Sequence, residues 1–289
     1  MTEGIRDTLT SDPLWVGLAM GIVGLVAVLA LTRASARKAP MPIAGPMVVV
    51  AATVALADSV ELPASVLLAL ALLGAGGHLT RRSVWLGYPL VLAGASVLGL
   101  EGPRSPAWVP LAVGVSAAVG GVAARSFDRH YARPGLGPVL FAVSAAGVAL
   151  TVPETDGVLT LVGVAAPLAL TGWPLRTARL GDAGAVAAVG LLSWLTATGG
   201  IGRSSAVIGG LACLGLLAAE PASRALLGRA GDRALPSTAA VVLHAAVVFV
   251  VARVAGLQSS TATAALIAAS TLAVAASGVA WWLRRRRPV

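Results

Sequence analysis

Charge is what this chain has least of. Asp, Glu, Lys and Arg make up 11% of its 289 residues, against about a quarter in a soluble domain. The uncharged stretches are each about as long as a bilayer is thick, and no polar block between them is large enough to fold as a soluble domain. The one cysteine, Cys213, excludes an intramolecular disulfide and any two-cysteine redox or metal motif. Glycine-rich phosphate loops, HExxH, GxSxG and acidic pairs of the Asp-x-x-Asp kind are all missing, so no enzyme class is indicated and neither a cofactor nor a metal is expected. Lysine is nearly missing as well: Lys38 stands alone against twenty arginines. Together with the dominance of Ala, Gly and Val, that bias suggests a GC-rich bacterial genome.

What the chain does have is apolar length. Hydrophobic residues make up 57% of it and mean hydropathy is +0.88. Roughly 17–25 apolar residues in a helix cross a hydrocarbon core. The runs between charges predict an all-α integral membrane protein, a polytopic bundle formed by the whole chain, 1–289, as a single transmembrane domain with short loops. Eleven spans are expected, at 13–31, 41–57, 62–79, 84–100, 108–124, 136–152, 157–173, 183–198, 204–219, 236–252 and 261–283. The count falls to ten if the first is removed. Ala34, Ser35 and Ala36 resemble a signal-peptidase site. However, the preceding region is net negative and Arg37 and Lys38 follow, the reverse of a cleaved signal. The first span is therefore read as retained.

The net charge of +9 does not indicate nucleic acid. The charges sit in short clusters between apolar runs, with no aromatic-basic groove. They report orientation instead. If odd-numbered spans end in the cytoplasm, seventeen of the twenty-one basic residues lie inside and eight of the twelve acidic ones outside. The positive-inside rule then gives N-out, C-in. All seven tryptophans fall near span ends, where an apolar ring with a polar N–H suits the headgroup level. The expected setting is a bacterial cytoplasmic membrane, with anionic lipids meeting the inner arginines.

Two further patterns concern packing. The turns at 57–63, 101–106 and 152–157 each place at least one carboxylate and a proline between apolar helices. Either convergence on short outer turns or duplication of a two-helix unit explains them. Gly17, Gly21 and Gly24, Gly74 and Gly77, Gly120 and Gly121, and Gly209 and Gly210 form small-residue faces. In lipid such faces mark helix contacts, and they allow a homo-oligomer or a membrane-protein partner.

Chemistry has few places to reside. His244 lies about eight residues into the tenth span and is either a proton relay or substrate contact, or a neutral imidazole bonded to a Ser, Thr or carbonyl of a neighbouring helix. Arg253, nine residues on, either binds an anionic group or snorkels to headgroups. Arg125, Arg129 and Arg133 form a basic loop for lipid headgroups or phosphate. Asp58, Glu61, Glu101, Glu154 and Asp156 form an outer acidic rim, or merely solvated turns. The length and helix count are similar to those of small-molecule exporters with ten short helices, a likeness of architecture only. The expected function is transport of a small molecule or lipid-linked substrate. The alternatives are a structural or assembly subunit of a membrane complex, and a membrane-embedded enzyme acting on a lipid.

Overall fold

Apolar runs bounded by charge, Pro and Gly become helices. The computed structural model describes residues 12–35, 40–57, 60, 62–104, 106–122, 124, 136–227 and 237–256, and among these it contains ten helices and no strand. They are α1 (Asp12–Ala34), α2 (Ala44–Leu56), α3 (Ala64–Leu79), α4 (Val84–Glu101), α5 (Val109–Gly120), α6 (Leu136–Ala149), α7 (Asp156–Gly172), α8 (Asp182–Gly199), α9 (Ser204–Leu227) and α10 (Ser237–Gly256). Each coincides with one of the first ten expected spans. The eleventh, 261–283, lies outside the described residues. By length and composition, α1 and α4 are the helices apolar and long enough to cross a bilayer, while most of the others are shorter apolar helices.

Close contacts at glycines set the relative direction of neighbouring helices. Gly17, Gly21 and Gly24 of α1 lie against Thr160, Val164 and Leu168 of α7 in rising order, so these two helices run parallel. Gly76 and Gly94 meet Val91 and Ala69, making α3 and α4 antiparallel. Gly99 and Gly114 meet Pro110 and Ala95, doing the same for α4 and α5. Gly77 sits on the Asp182 carbonyl and Gly190 on Leu73, so α8 opposes α3. Gly147 and Gly210 contact Cys213 and Val148, so α6 opposes α9. These pairings fit helices that alternate in direction along the chain, with their connections in two layers. One end of the bundle carries Arg33, Arg81, Arg82, Arg176 and Arg179. The other carries Asp12, Glu101, Glu154 and Asp156 together with Arg104, Arg203 and Arg253.

α8 forms the middle of the bundle, packing on α2, α3, α4, α5, α6, α7 and α9. Residues 184–197 of it are buried throughout. Large apolar side chains point outward from the surrounding helices: Trp15, Val23 and Val26 of α1, Leu86 and Leu92 of α4, Leu111 and Val119 of α5, Val242 and Phe249 of α10. Trp85 is 87% exposed. Trp194 departs from the expected aromatic belt. It is buried, and its indole N–H donates to the Glu101 carbonyl at 3.4 Å, tying the ends of α8 and α4. A polar partner inside the bundle replaces the headgroup partner.

Candidate functional site: an interior hydroxyl and imidazole seam

Among the described residues, two pairs of polar side chains join helices inside this bundle, Ser116–Ser193 and Ser144–His244. Five residues of α5, Ser116–Gly120, wind as a π turn. Such turns break the regular hydrogen-bond ladder and recur at functional positions. Ser116 opens the turn, and its hydroxyl pairs with that of Ser193 on α8 at 3.1 Å. Ser193 also donates to the Val189 carbonyl at 2.8 Å, so this buried pair is satisfied.

One turn further along α8, Thr196 donates to the Leu192 carbonyl at 2.6 Å. Across from it, just beyond α6, Thr151 donates to Val148 at 2.7 Å. Both threonines border Gly210 of α9, where a Cβ would lie 3.2 Å from the Thr151 hydroxyl. The missing side chain lets the two threonines approach.

His244 of α10 faces α6. Its Nε2 is 3.0 Å from the Ser144 hydroxyl, and Ser144 is fully buried. A neighbouring-helix hydroxyl is one of the two partner types expected for this imidazole. Cys213 of α9 closes the same junction, with its thiol 3.9 Å from the Val248 carbonyl one turn along α10. The sequence pointed to His244. It did not single out Ser144, Ser116, Ser193, Thr196 or Thr151, since a hydroxyl in an apolar run carries no sign of which face is inward.

The other expected site residues are dispersed. Arg253 is partly buried in the last turn of α10. Nine residues from His244 amount to about 13 Å of rise and half a rotation, so the two side chains do not converge. Glu101, Glu154 and Asp156 are exposed at one end of the bundle. The Glu154 amide donates to the Gly199 carbonyl and thereby caps the end of α8. Asp58, Glu61, Arg125, Arg129 and Arg133 lie outside the described residues. Among the described residues, no three His, Cys, Asp or Glu side chains come together in a way that could hold a metal ion.

No protein-family model matches the chain, and no curated protein is significantly similar to it. The functional reading therefore rests on the fold and on this seam.

Proposed function

We propose that the chain is a multi-pass protein of a bacterial cytoplasmic membrane that acts as a permease for a small polar solute, with the interior seam as its contact surface. The observation that carries this reading is the inverted distribution of polarity. Large apolar side chains cover the outside of the bundle, while the Ser116–Ser193 and Ser144–His244 pairs join helices inside it, and Thr196 and Thr151 are buried with their hydroxyls on the Leu192 and Val148 carbonyls. A soluble monomer rarely exposes apolar patches beyond a few hundred Å², but lipid requires such an exterior. In lipid, irregular helix geometry is tolerated where it is buried in protein or lines a cavity, and the inward side of the π turn, Ala117 and Gly120, is buried in the bundle.

In this reading the helices alternate across the bilayer, the arginine-bearing end faces the cytoplasm, and 261–283 supplies the eleventh span. Helices shorter than a full crossing are accommodated by local thinning of the bilayer. Uncharged hydroxyls and one imidazole suit a neutral or zwitterionic solute bound through hydrogen bonds.

A second reading, a structural subunit of a membrane complex, has its own support. Backbone-to-backbone contacts at Gly21, Gly76 and Gly94 describe a tightly set bundle. One experiment separates the two. In a Cys213→Ala background, Ser193→Cys is challenged with small, membrane-permeant and charged thiol reagents in cells. A permease exposes this position to water during its cycle, and labelling proceeds. A position that stays unlabelled under all conditions removes the permease reading and leaves the structural one.

A further inference from the structure

The hairpin between α3 and α4 turns within residues 80–83 and is tightly bound to itself. The Arg81 amide donates to the His78 carbonyl at 3.3 Å, and the Arg82 and Ser83 amides both donate to Leu79 at 2.8 Å. The Gly87 amide closes the first turn of α4 on Ser83 at 3.0 Å. Gly87 also lies against the Thr80 backbone, where no Cβ fits, and Thr80 is buried with its hydroxyl on the Gly77 carbonyl at 2.8 Å. The two helices cross in direct contact, so the side chains at the tip project from a fixed base.

The tip displays charge and apolar surface side by side. His78, Arg81 and Arg82 are all exposed, and among the described residues none of these side chains has a hydrogen-bond or ion-pair partner. Asp182, the one carboxylate among the described residues at this end of the bundle, is half-buried at the start of α8. Directly after the arginines come Val84, Trp85 and Leu86, at 56%, 87% and 62% exposure. Successive helix residues point about 100° apart, so the first turn of α4 is bare around most of its circumference. Bare apolar surface of this kind marks a contact with something apolar, and two unpaired arginines one turn away attract an anion. A free anion meets only the second condition. An anionic phospholipid meets both in one molecule, with head and chains in the order in which Arg82 and Trp85 follow along α4.

We infer that the tip of the α3–α4 hairpin is a binding site for an anionic phospholipid, with the lipid phosphate on Arg81 and Arg82 and the glycerol and upper chains against Trp85 and Leu86. The inference rests on the membrane placement proposed above and does not depend on the seam transporting anything.

The test uses the full chain in neutral detergent. Binding of short-chain phosphatidylglycerol, short-chain phosphatidylcholine and inorganic phosphate is measured by native mass spectrometry, and by thermal shift at low and high salt. Wild type is compared with the double variant Arg81→Gln/Arg82→Gln, with Trp85→Ala and with Arg33→Gln, an exposed arginine at the same end of the bundle. Wild type is expected to prefer phosphatidylglycerol, and the double variant to bind it about twenty-fold more weakly, or about five-fold per arginine. Trp85→Ala should weaken both lipids alike, and Arg33→Gln should leave binding unchanged within about two-fold. If the double variant fails to fold, wild type decides the matter, because a preference based on charge disappears at about 1 M salt. The inference is overturned if wild type binds both lipids alike, if Arg33→Gln loses as much as the double variant, if the preference survives high salt, or if inorganic phosphate binds as tightly as phosphatidylglycerol. Each of these results ends this inference alone, whereas a chain recovered in the soluble fraction without detergent would end the membrane reading with it.

Discussion

Gly45 of α2 and Gly184 of α8 stand backbone against backbone, so that a Cβ on Gly45 would lie 2.7 Å from the Gly184 Cα. No side chain fits between them. The contact lies one residue from Ala44, whose amide donates to the Arg179 carbonyl, so it also fixes the level of the α7–α8 connection. In lipid, where burying apolar surface from water drives nothing, such close approach is the main source of helix association.

Gly45→Val and Gly184→Val are therefore expected to destabilise by about 1–3 kcal/mol or more, the cost of over-packing a site that cannot open. Gly74→Ala is the control, since its Cβ would find its nearest neighbours at 3.9 Å. Thermal unfolding followed by size-exclusion recovery measures both. Equal midpoints for Gly184→Val and Gly74→Ala would refute the contact.

The Ser144–His244 bond joins α6 to α10 at 3.0 Å. Ser144→Ala and His244→Phe, with their double mutant, should yield a coupling energy of about 0.6 kcal/mol, typical of hydrogen bonds between helices in a membrane. Strict additivity in denaturant unfolding would mean that the pair contributes nothing.

The single native cysteine is buried, which makes the chain convenient for mapping. In a Cys213→Ala background, an impermeant thiol reagent applied to intact cells should label Glu154→Cys and Arg104→Cys, and should leave Arg82→Cys and Arg176→Cys untouched until the cells are opened. The reverse pattern would invert the orientation.

α1 packs along α7 through three successive turns, at Gly17, Gly21 and Gly24, and its helix continues to Ala34. Cleavage beside Ala36 is accordingly not expected. An intact mass that lacked the first thirty-six residues would contradict this.

The helices themselves were legible. Each apolar run is closed by an arginine, a carboxylate or a turn with Pro or Gly, and most of those markers fall within a few residues of the observed ends, as at Arg81 after α3 and Glu101 at the end of α4, whereas α9 runs on through Glu220 to Leu227. Their arrangement was much less legible. A helix that is apolar all round offers no polar stripe from which to read the buried face, so the centrality of α8 could not be taken from periodicity. A fainter sign does exist. α8 holds Gly184, Gly190, Ser193, Thr196 and five alanines, where α1 and α4 hold Trp, Leu and Val on their exposed faces. The small-residue faces at Gly17–Gly24, Gly77 and Gly121 did mark contacts, but the partner helix was not readable from them. The π turn of α5 had no sequence signature, because Ser116-Ala-Ala-Val-Gly120 is equally acceptable as ordinary helix. For the seam, the imidazole was visible as an ionisable group in an apolar run, whereas its partner Ser144 lies a hundred residues away.

The burial of α8 on all sides has a consequence for how the molecule is made. Helices α2 to α7 leave the ribosome before it, and α9 after it. When α8 arrives, the Glu101 carbonyl and the Ser116 hydroxyl that receive Trp194 and Ser193 already belong to helices in place. Six earlier helices therefore supply the surfaces on which it packs, and α9 completes the enclosure. A chain halted after α8 should protect α3, α4, α5 and α7 from protease, whereas one halted after α7 should not, because the surfaces that α8 covers would stand bare.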